Sequence, residues 1–207
     1  MTHLVFEMDD ESLKQEIADL ITKLDYPLRF ERIIITQSCK VEFLKGDTGK
    51  DMEIFVNPEN EKVKNRQLFR GYFVRFIFLL LNEKEGVNKE IQERIDCPRL
   101  VPQVQDFFAD LRAAKHGYLK IMKQFFVELI ASKVYSSTPL SKKEFAEFYL
   151  HYLVMKRMKE PEELETMLMP VRPHGMQALI KELEGLNYPF QMGSKELAKA
   201  WAETLYK

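Results

Sequence analysis

The pattern of apolar residues changes once along this chain, at Pro58, and that change limits the possible folds more than any other feature. Before Pro58, short runs rich in β-branched and aromatic residues are typical of strands. We predict strands at residues 29–36, 39–44 and 51–57, with residues 3–6 as a candidate fourth. After Pro58, apolar residues recur at helical spacing. The sequence therefore predicts a mostly helical α+β fold with a small three- or four-stranded sheet, antiparallel or mixed.

Capping residues mark where several of these helices begin and end. Asp10 is a good N-cap for a first amphipathic helix, and the spacing from Ser141 to Glu144 predicts a capping box. Gly86 and Gly117 stand where a residue with positive φ often ends a helix. The predicted helices cover residues 10–26, 63–85, 89–95, 104–115, 118–134, 141–158, 162–169, 175–184 and 195–206.

Two connections between these elements have a composition of their own. Residues 45–50, KGDTGK, contain two glycines and an aspartate, which favours a hairpin connection between the second and third strands. Residues 97–102, CPRLVP, contain two prolines and are predicted to interrupt the helical region. For the whole chain we predict an α+β core at residues 1–117 and a helical extension at residues 118–207, with one continuous domain as the alternative.

Composition and charge exclude several classes of function. Hydrophobic residues make up 45% of the 207-residue chain, charged residues 30%, and the formal charge is −1, which gives no basis for nucleic-acid binding. Residues 71–81 are too short to span a membrane and contain Arg75, and no secretory signal begins the chain. Cys39 and Cys97 lie far apart, which favours buried thiols in a reducing compartment. We expect a cytoplasmic protein that binds neither nucleic acid nor membrane.

Three segments in a fixed order carry a family resemblance. The turn VNP at residues 56–58 precedes RGYFVRFIFLLL at residues 70–81, and DFFAD at residues 106–110 is followed by AAKHGY at residues 113–118. Over residues 10–118 this order resembles the minimal gluzincin metallopeptidases. These are compact zincin folds known among archaea, and their active-site helix reads roughly RGYLVHELAHIL. The resemblance implies a zincin-like helix pair in the core and an archaeal source.

The resemblance also implies that the metal chemistry is lost. In the HExxH motif, two histidines at i and i+4 bind zinc, and the glutamate acts as general base. Arg75 stands at the first histidine, Phe76 at the glutamate and Leu79 at the second histidine. Asp106 matches the third ligand, and Asp110 matches a carboxylate that supports the ligands. One carboxylate cannot form a three-ligand zinc site, so we expect no metal, no cofactor and no zinc peptidase activity.

The substituted positions suggest a replacement for the metal. We expect Arg75 and Asp106 to form a partly buried ion pair at the former metal position, with Asp110 sharing the guanidinium. In the alternative, Arg75 reaches solvent and Asp106 lies on an exposed face. His116 could join Asp106 and Asp110 in a relocated metal site, although a structural role is favoured.

The other three histidines add nothing to such a site. His3, His151 and His174 show no ligand-like spacing with His116. The sequence therefore offers no second set of metal ligands.

Three functional interpretations stay open at this point. The first is a catalytically inactive zincin-like scaffold with a binding or assembly role. The second is a hydrolase that uses Asp106 and Asp110 as acid and base, and the third is an unrelated helical adaptor. The many methionines and aromatic residues at 118–207 either cover the core or form a surface for a protein partner or for self-association.

Overall fold

The chain is a mostly helical α+β protein, which confirms the predicted fold class. A computed structural model describes residues 3–6, 10–23, 30–37, 42–47, 52–136, 138–187 and 194–205. The chain divides into two compact units, Met1–Ile77 and Phe78–Lys207. We describe each unit by itself.

A four-stranded mixed sheet forms the centre of the first unit. Its strands are β1 (His3–Phe6), β2 (Phe30–Ile35), β3 (Phe43–Asp47) and β4 (Met52–Val56). The order across the sheet is β1-β2-β4-β3, with β1, β2 and β4 parallel and β3 antiparallel to β4. The candidate fourth strand at residues 3–6 and the mixed sheet are thus both confirmed.

The core of the first unit is built on β2 and β4. Ile33 pairs with Ile54 and Ile35 pairs with Val56, and all four are buried. The neighbouring Ile34 is buried as well, so both faces of β2 are covered. Continuous apolar runs of this kind are typical of strands in parallel sheets, where each face has a covering layer.

Helix α1 (Glu11–Thr22) connects β1 to β2 in the chain. The predicted cap is present, because the side chain of Asp10 accepts a hydrogen bond from the Leu13 N–H at 2.8 Å. The helix buries Leu13, Ile17 and Leu20, which lie on one face. Residues 24–29, where we predicted its end, lie outside the described residues.

The strand β3 extends further than the sequence predicts. Lys45, Gly46 and Asp47 pair with residues of β4, although residues 45–50 were expected to form the hairpin connection. Backbone pairing continues there because the antiparallel ladder needs no particular side chain, so glycine and aspartate do not end it. The predicted strand start at Cys39 and residues 48–51 lie outside the described part of the chain.

The long helix predicted at residues 63–85 is divided in two. Helix α2 (Glu61–Lys64) ends at Asn65, whose ψ of 98° is extended, and α3 (Arg66–Lys84) begins after it. The Asn65 side chain accepts hydrogen bonds from the N–H groups of Gln67 and Leu68 at 3.2 and 3.3 Å. Asparagine therefore competes with the helix for backbone donors and starts a new helix as its cap.

Helices make up the second unit. They are the C-terminal part of α3, α4 (Val87–Arg94), α5 (Val101–Ala113), α6 (Leu119–Val134), α7 (Lys142–Arg157), α8 (Glu162–Leu168), α9 (Gln177–Glu184) and α10 (Ser194–Leu205). A short 3₁₀ turn, Met169–Val171, follows α8. Gly86, just before α4, has the predicted positive φ, at 79°.

Helix α5 begins earlier than predicted, inside the proline-containing segment. Pro102 lies in its first turn, where a missing N–H costs nothing because no intrahelical acceptor exists there. At its other end, a kinked connection (Ala114–Tyr118) leads into α6, and His116 and Gly117 within it leave helical geometry, with a φ of 94° at Gly117.

The units divide inside α3, at residues 77 and 78, whereas the sequence suggested a boundary after residue 117. Residues 78–117 group with the later helices, because α5 packs against α6 and α7. Most of the methionine and aromatic residues noted in the helical half are buried inside this unit. They include Phe145, Tyr149, Tyr152, Met155, Met176 and Trp201.

Candidate functional site

The three altered positions of the HExxH-like segment lie along α3. Arg75 is only 8% exposed, and Phe76 and Leu79 are half-buried. The ring of Phe76 stacks on Phe43 of β3, with the ring centroids 5.3 Å apart. The position that matches the general base is therefore occupied by a side chain in the aromatic packing of the first unit.

The packing around Phe76 is an aromatic cluster. Phe43 also contacts Phe69 and Phe73, with ring centroids 6.0 and 5.6 Å apart, and those two rings stack on each other at 5.5 Å. Aromatic pairs in such arrangements stabilise a core by about 1 kcal/mol each beyond the area they bury. The cluster explains why α3 is so apolar on this side.

Helix α5 carries the two predicted carboxylates with different exposures. Asp106 is half-buried, whereas Asp110 is fully buried. Asp110 lies beside His151 of α7, with Oδ2 and Nδ1 separated by 3.5 Å. His151 in turn stacks flat on Phe126 of α6, with the ring centroids 4.5 Å apart and the planes 5° from parallel.

No feature of the sequence indicates that His151 lies beside Asp110. The two residues are on different helices, and only the packing of α5 against α7 brings them together. The 3.5 Å separation is that of an electrostatic contact and is too long for a strong hydrogen bond. The aromatic stack on Phe126 holds the same ring from another side.

The remaining predictions for the site have mixed outcomes. His116 lies in the kinked connection between α5 and α6 and stacks on Phe78, with the ring centroids 6.0 Å apart. Within the described residues, no group of three or more His, Cys, Asp and Glu side chains could hold a metal ion. Arg75 belongs to the first unit and Asp106 to the second. Their pairing stays a prediction.

A cavity of about 340 Å³ lies within the second unit, and none of Arg75, Phe76, Leu79, Asp106 and Asp110 lines it. Its polar lining consists of Asn82, Glu85, Arg112, Lys115, Arg157 and Asn187. Arg112 contacts both oxygens of Glu85, at 2.7 and 2.8 Å, and donates to Asn82 Oδ1 at 3.0 Å. No local motif marks this cavity, because its walls come from separate segments of the chain.

Comparison with protein-family models, with curated proteins and with solved structures gives no match to this chain. The resemblance to gluzincins therefore rests on the sequence pattern described above.

Proposed function

We propose that this protein is a catalytically inactive, zincin-like scaffold with a binding or assembly role. The observation that carries the proposal is the stacking of Phe76 on Phe43. A general base must reach the water that it activates. A phenyl ring accepts no proton, and this one packs against β3.

The two neighbouring positions support the same proposal. Arg75 carries a permanent positive charge, which repels Zn²⁺, and its side chain is buried. Leu79 has no lone pair with which to bind a metal. Zinc hydrolases need three protein ligands and an open coordination position, and these residue types cannot supply two of the three ligands.

Zinc content and peptidase activity of the purified chain test this proposal together. We expect mass spectrometry of the metal to find less than one zinc ion per chain. We also expect no chelator-sensitive cleavage of casein or of quenched fluorescent peptides. Stoichiometric zinc with chelator-sensitive cleavage would overturn the proposal and favour a metallohydrolase.

The alternative of a hydrolase that uses Asp106 and Asp110 has less support. Asp110 is fully buried and contacts His151, so its carboxylate does not reach a substrate in this conformation. Cleavage that resists chelators and is lost in Asp106→Asn would favour this alternative. An unrelated helical adaptor, the third interpretation, predicts that Arg75 and Asp106 do not interact at all.

We assign the binding or assembly role to residues 118–207, with self-association as the first form to test. Tyr135 is 76% exposed at the end of α6, and Val171 is the other large hydrophobic residue that is exposed among those described. Sedimentation of the full chain at increasing concentration should show association that Tyr135→Ser weakens. A monomer at every concentration would exclude self-association and leave a different protein as the partner.

The proposed compartment is the cytoplasm. Cys97 is a free, half-buried thiol, which is compatible with reducing conditions. Within the described residues, no helix is long and apolar enough to cross a membrane.

A further inference from the structure

The cavity of the second unit has an excess of positive charge. Among the described residues that line it, three are cationic, Arg112, Lys115 and Arg157, and one is a carboxylate, Glu85. At neutral pH the polar wall therefore has a net charge of about +2. A cavity with this charge attracts anions, because its walls exclude part of the solvent that would screen the field.

Arg112 is held in place before any ligand arrives. Both of its terminal nitrogens contact Glu85, and Nη1 also donates to Asn82 Oδ1 at 3.0 Å. Asn82 is buried, so this hydrogen bond is shielded from solvent. A guanidinium that is already held by such contacts loses little conformational entropy when it binds an anion.

Arg157 is a half-buried cation that contacts a backbone carbonyl and an aromatic ring. Its Nη2 donates to the backbone carbonyl of Leu186, and its guanidinium lies 5.0 Å from the centre of the Phe107 ring. Among the described residues, no acidic group forms a salt bridge with it. Burial lowers the pKa of Arg157 from its ordinary value. A bound anion would supply the charge that this site lacks.

The cavity also has an apolar wall, formed by Val87, Phe108 and Leu111. All three side chains are buried. A volume of about 340 Å³ lies at the lower end of the range for small-molecule sites, which begins at roughly 300 Å³. The ligand that fits both walls has an anionic head and a small apolar body.

We propose that this cavity binds a small phosphomonoester whose phosphoryl group contacts Arg157 and Lys115 and whose apolar body packs against Val87, Phe108 and Leu111. A phosphoryl group on oxygen carries a charge of about −1.5 to −2 at neutral pH, which balances the excess of the wall. Its oxygens match the planar fork of arginine. The site is independent of the zincin-like positions on α3.

Phenyl phosphate is a suitable probe, because it combines a phosphoryl group with one apolar ring. We expect calorimetric titration of the full chain to give a dissociation constant on the order of a millimolar or below. Inorganic phosphate lacks the apolar body and phenol lacks the charge, so both should bind several-fold more weakly. Added salt should weaken the binding of phenyl phosphate.

Matched variants locate the binding in this cavity. Lys115 is exposed, so Lys115→Glu should leave folding intact and weaken phenyl phosphate binding by about tenfold. The control Lys120→Glu makes the same charge change at an exposed residue outside the cavity, and it should leave the affinity unchanged. Arg157→Gln should weaken binding at least as much as Lys115→Glu, with Arg172→Gln as its control.

Three results would overturn the proposal. The first is wild-type protein that does not bind phenyl phosphate at millimolar concentration. The second is equal affinity of Lys115→Glu and Lys120→Glu, which would mean a different site. The third is tighter binding of phenol than of phenyl phosphate, which would mean a purely apolar cavity. Circular dichroism shows whether the Arg157→Gln variant is folded. If it is not, the comparison of Lys115→Glu with Lys120→Glu still tests the proposal.

Discussion

Arg75 is a charged side chain in the apolar half of α3, and its burial requires an acceptor. An unpaired buried charge would cost several kcal/mol. The sequence predicts Asp106 as this acceptor, with a cation of the protein in place of the metal of the family that the sequence resembles, and we keep that pair as a proposal.

A double-mutant cycle tests the pair. We expect Arg75→Met and Asp106→Leu each to lower the free energy of unfolding, and the double variant to lose about 1–3 kcal/mol less than the sum of the two. Urea unfolding measures all three differences. Arg70 lies on the same helix but contacts Glu16, so the control cycle of Arg70→Met with Asp106→Leu should be additive. Additivity of the Arg75 cycle would exclude the pair.

The contact between His151 and Asp110 makes a second prediction about single residues. His151→Phe keeps a ring that can stack on Phe126 but removes the nitrogen that faces the buried carboxylate. We expect the free energy of unfolding to fall by about 3 kcal/mol, because a buried charge loses a partner. His174→Phe, at an exposed position, should change it by less than about 0.5 kcal/mol. Equal effects of the two variants would contradict this account of His151.

At the scale of elements, the stability of the cap at the start of α7 depends on pH. Glu144 accepts hydrogen bonds from the Ser141 N–H and hydroxyl, at 3.0 and 2.8 Å, and pairs with Lys133 at 2.9 Å. The contact with Lys133 and the two bonds from Ser141 lower the pKa of Glu144 from 4.5 to about 2. The ionised form therefore stabilises the fold above pH 4.5, and this contribution is lost as the pH falls toward 2.

Glu144→Gln measures that contribution. Glutamine keeps the capping geometry but lacks the charge. Because the Glu144 side chain is about one-third exposed, solvent screens the pair, and we expect wild type to be more stable by only about 1 kcal/mol at neutral pH. The difference in unfolding free energy should shrink as the pH falls from 4.5 toward 2. A difference that does not change with pH would mean that the charge of Glu144 contributes nothing.

The turn between α5 and α6 depends on the backbone of Gly117. Its φ of 94° is strained for a residue with a side chain, although a Cβ there would meet no atom within 4 Å. We therefore expect Gly117→Ala to lower the free energy of unfolding by about 1–2 kcal/mol. Gly117→Asn should cost less, because asparagine tolerates positive φ. Thermal unfolding compares the two variants, and equal losses would point to a cause other than backbone strain.

The sequence predicted those elements whose ends are set by local chemistry. Asp10, Ser141 and Gly86 mark helix ends through hydrogen bonds or backbone angles that involve nearby residues only. Asn65 follows the same rule, but a longer run of helical spacing obscured it. Pro102 was expected to break a helix, although it is equally suited to the first turn of one. Such residues have two local roles, and only the surrounding structure selects one.

At the scale of the whole molecule, the candidate sites depend on contacts between distant segments. The apolar spacing on α3 indicated a buried helix, whereas for Arg75 the sequence left open whether the side chain is buried or reaches solvent. The contact of His151 with Asp110 and the cavity around Arg157 involve helices that are far apart in the chain. Spacing along a sequence carries no information about such contacts, because they depend on how helices pack.

The central proposal is that α3 is a zincin-like active-site helix that has lost its metal ligands. If so, the triple variant Arg75→His, Phe76→Glu and Leu79→His should bind zinc, with Asp106 as the third ligand. Zinc titration in competition with a chelator indicator measures the affinity. We predict that the triple variant binds one zinc ion per chain and that the added Asp106→Asn change lowers the zinc affinity by about tenfold or more. Zinc binding by the unaltered chain, or by the triple variant without regard to Asp106, would contradict the claim.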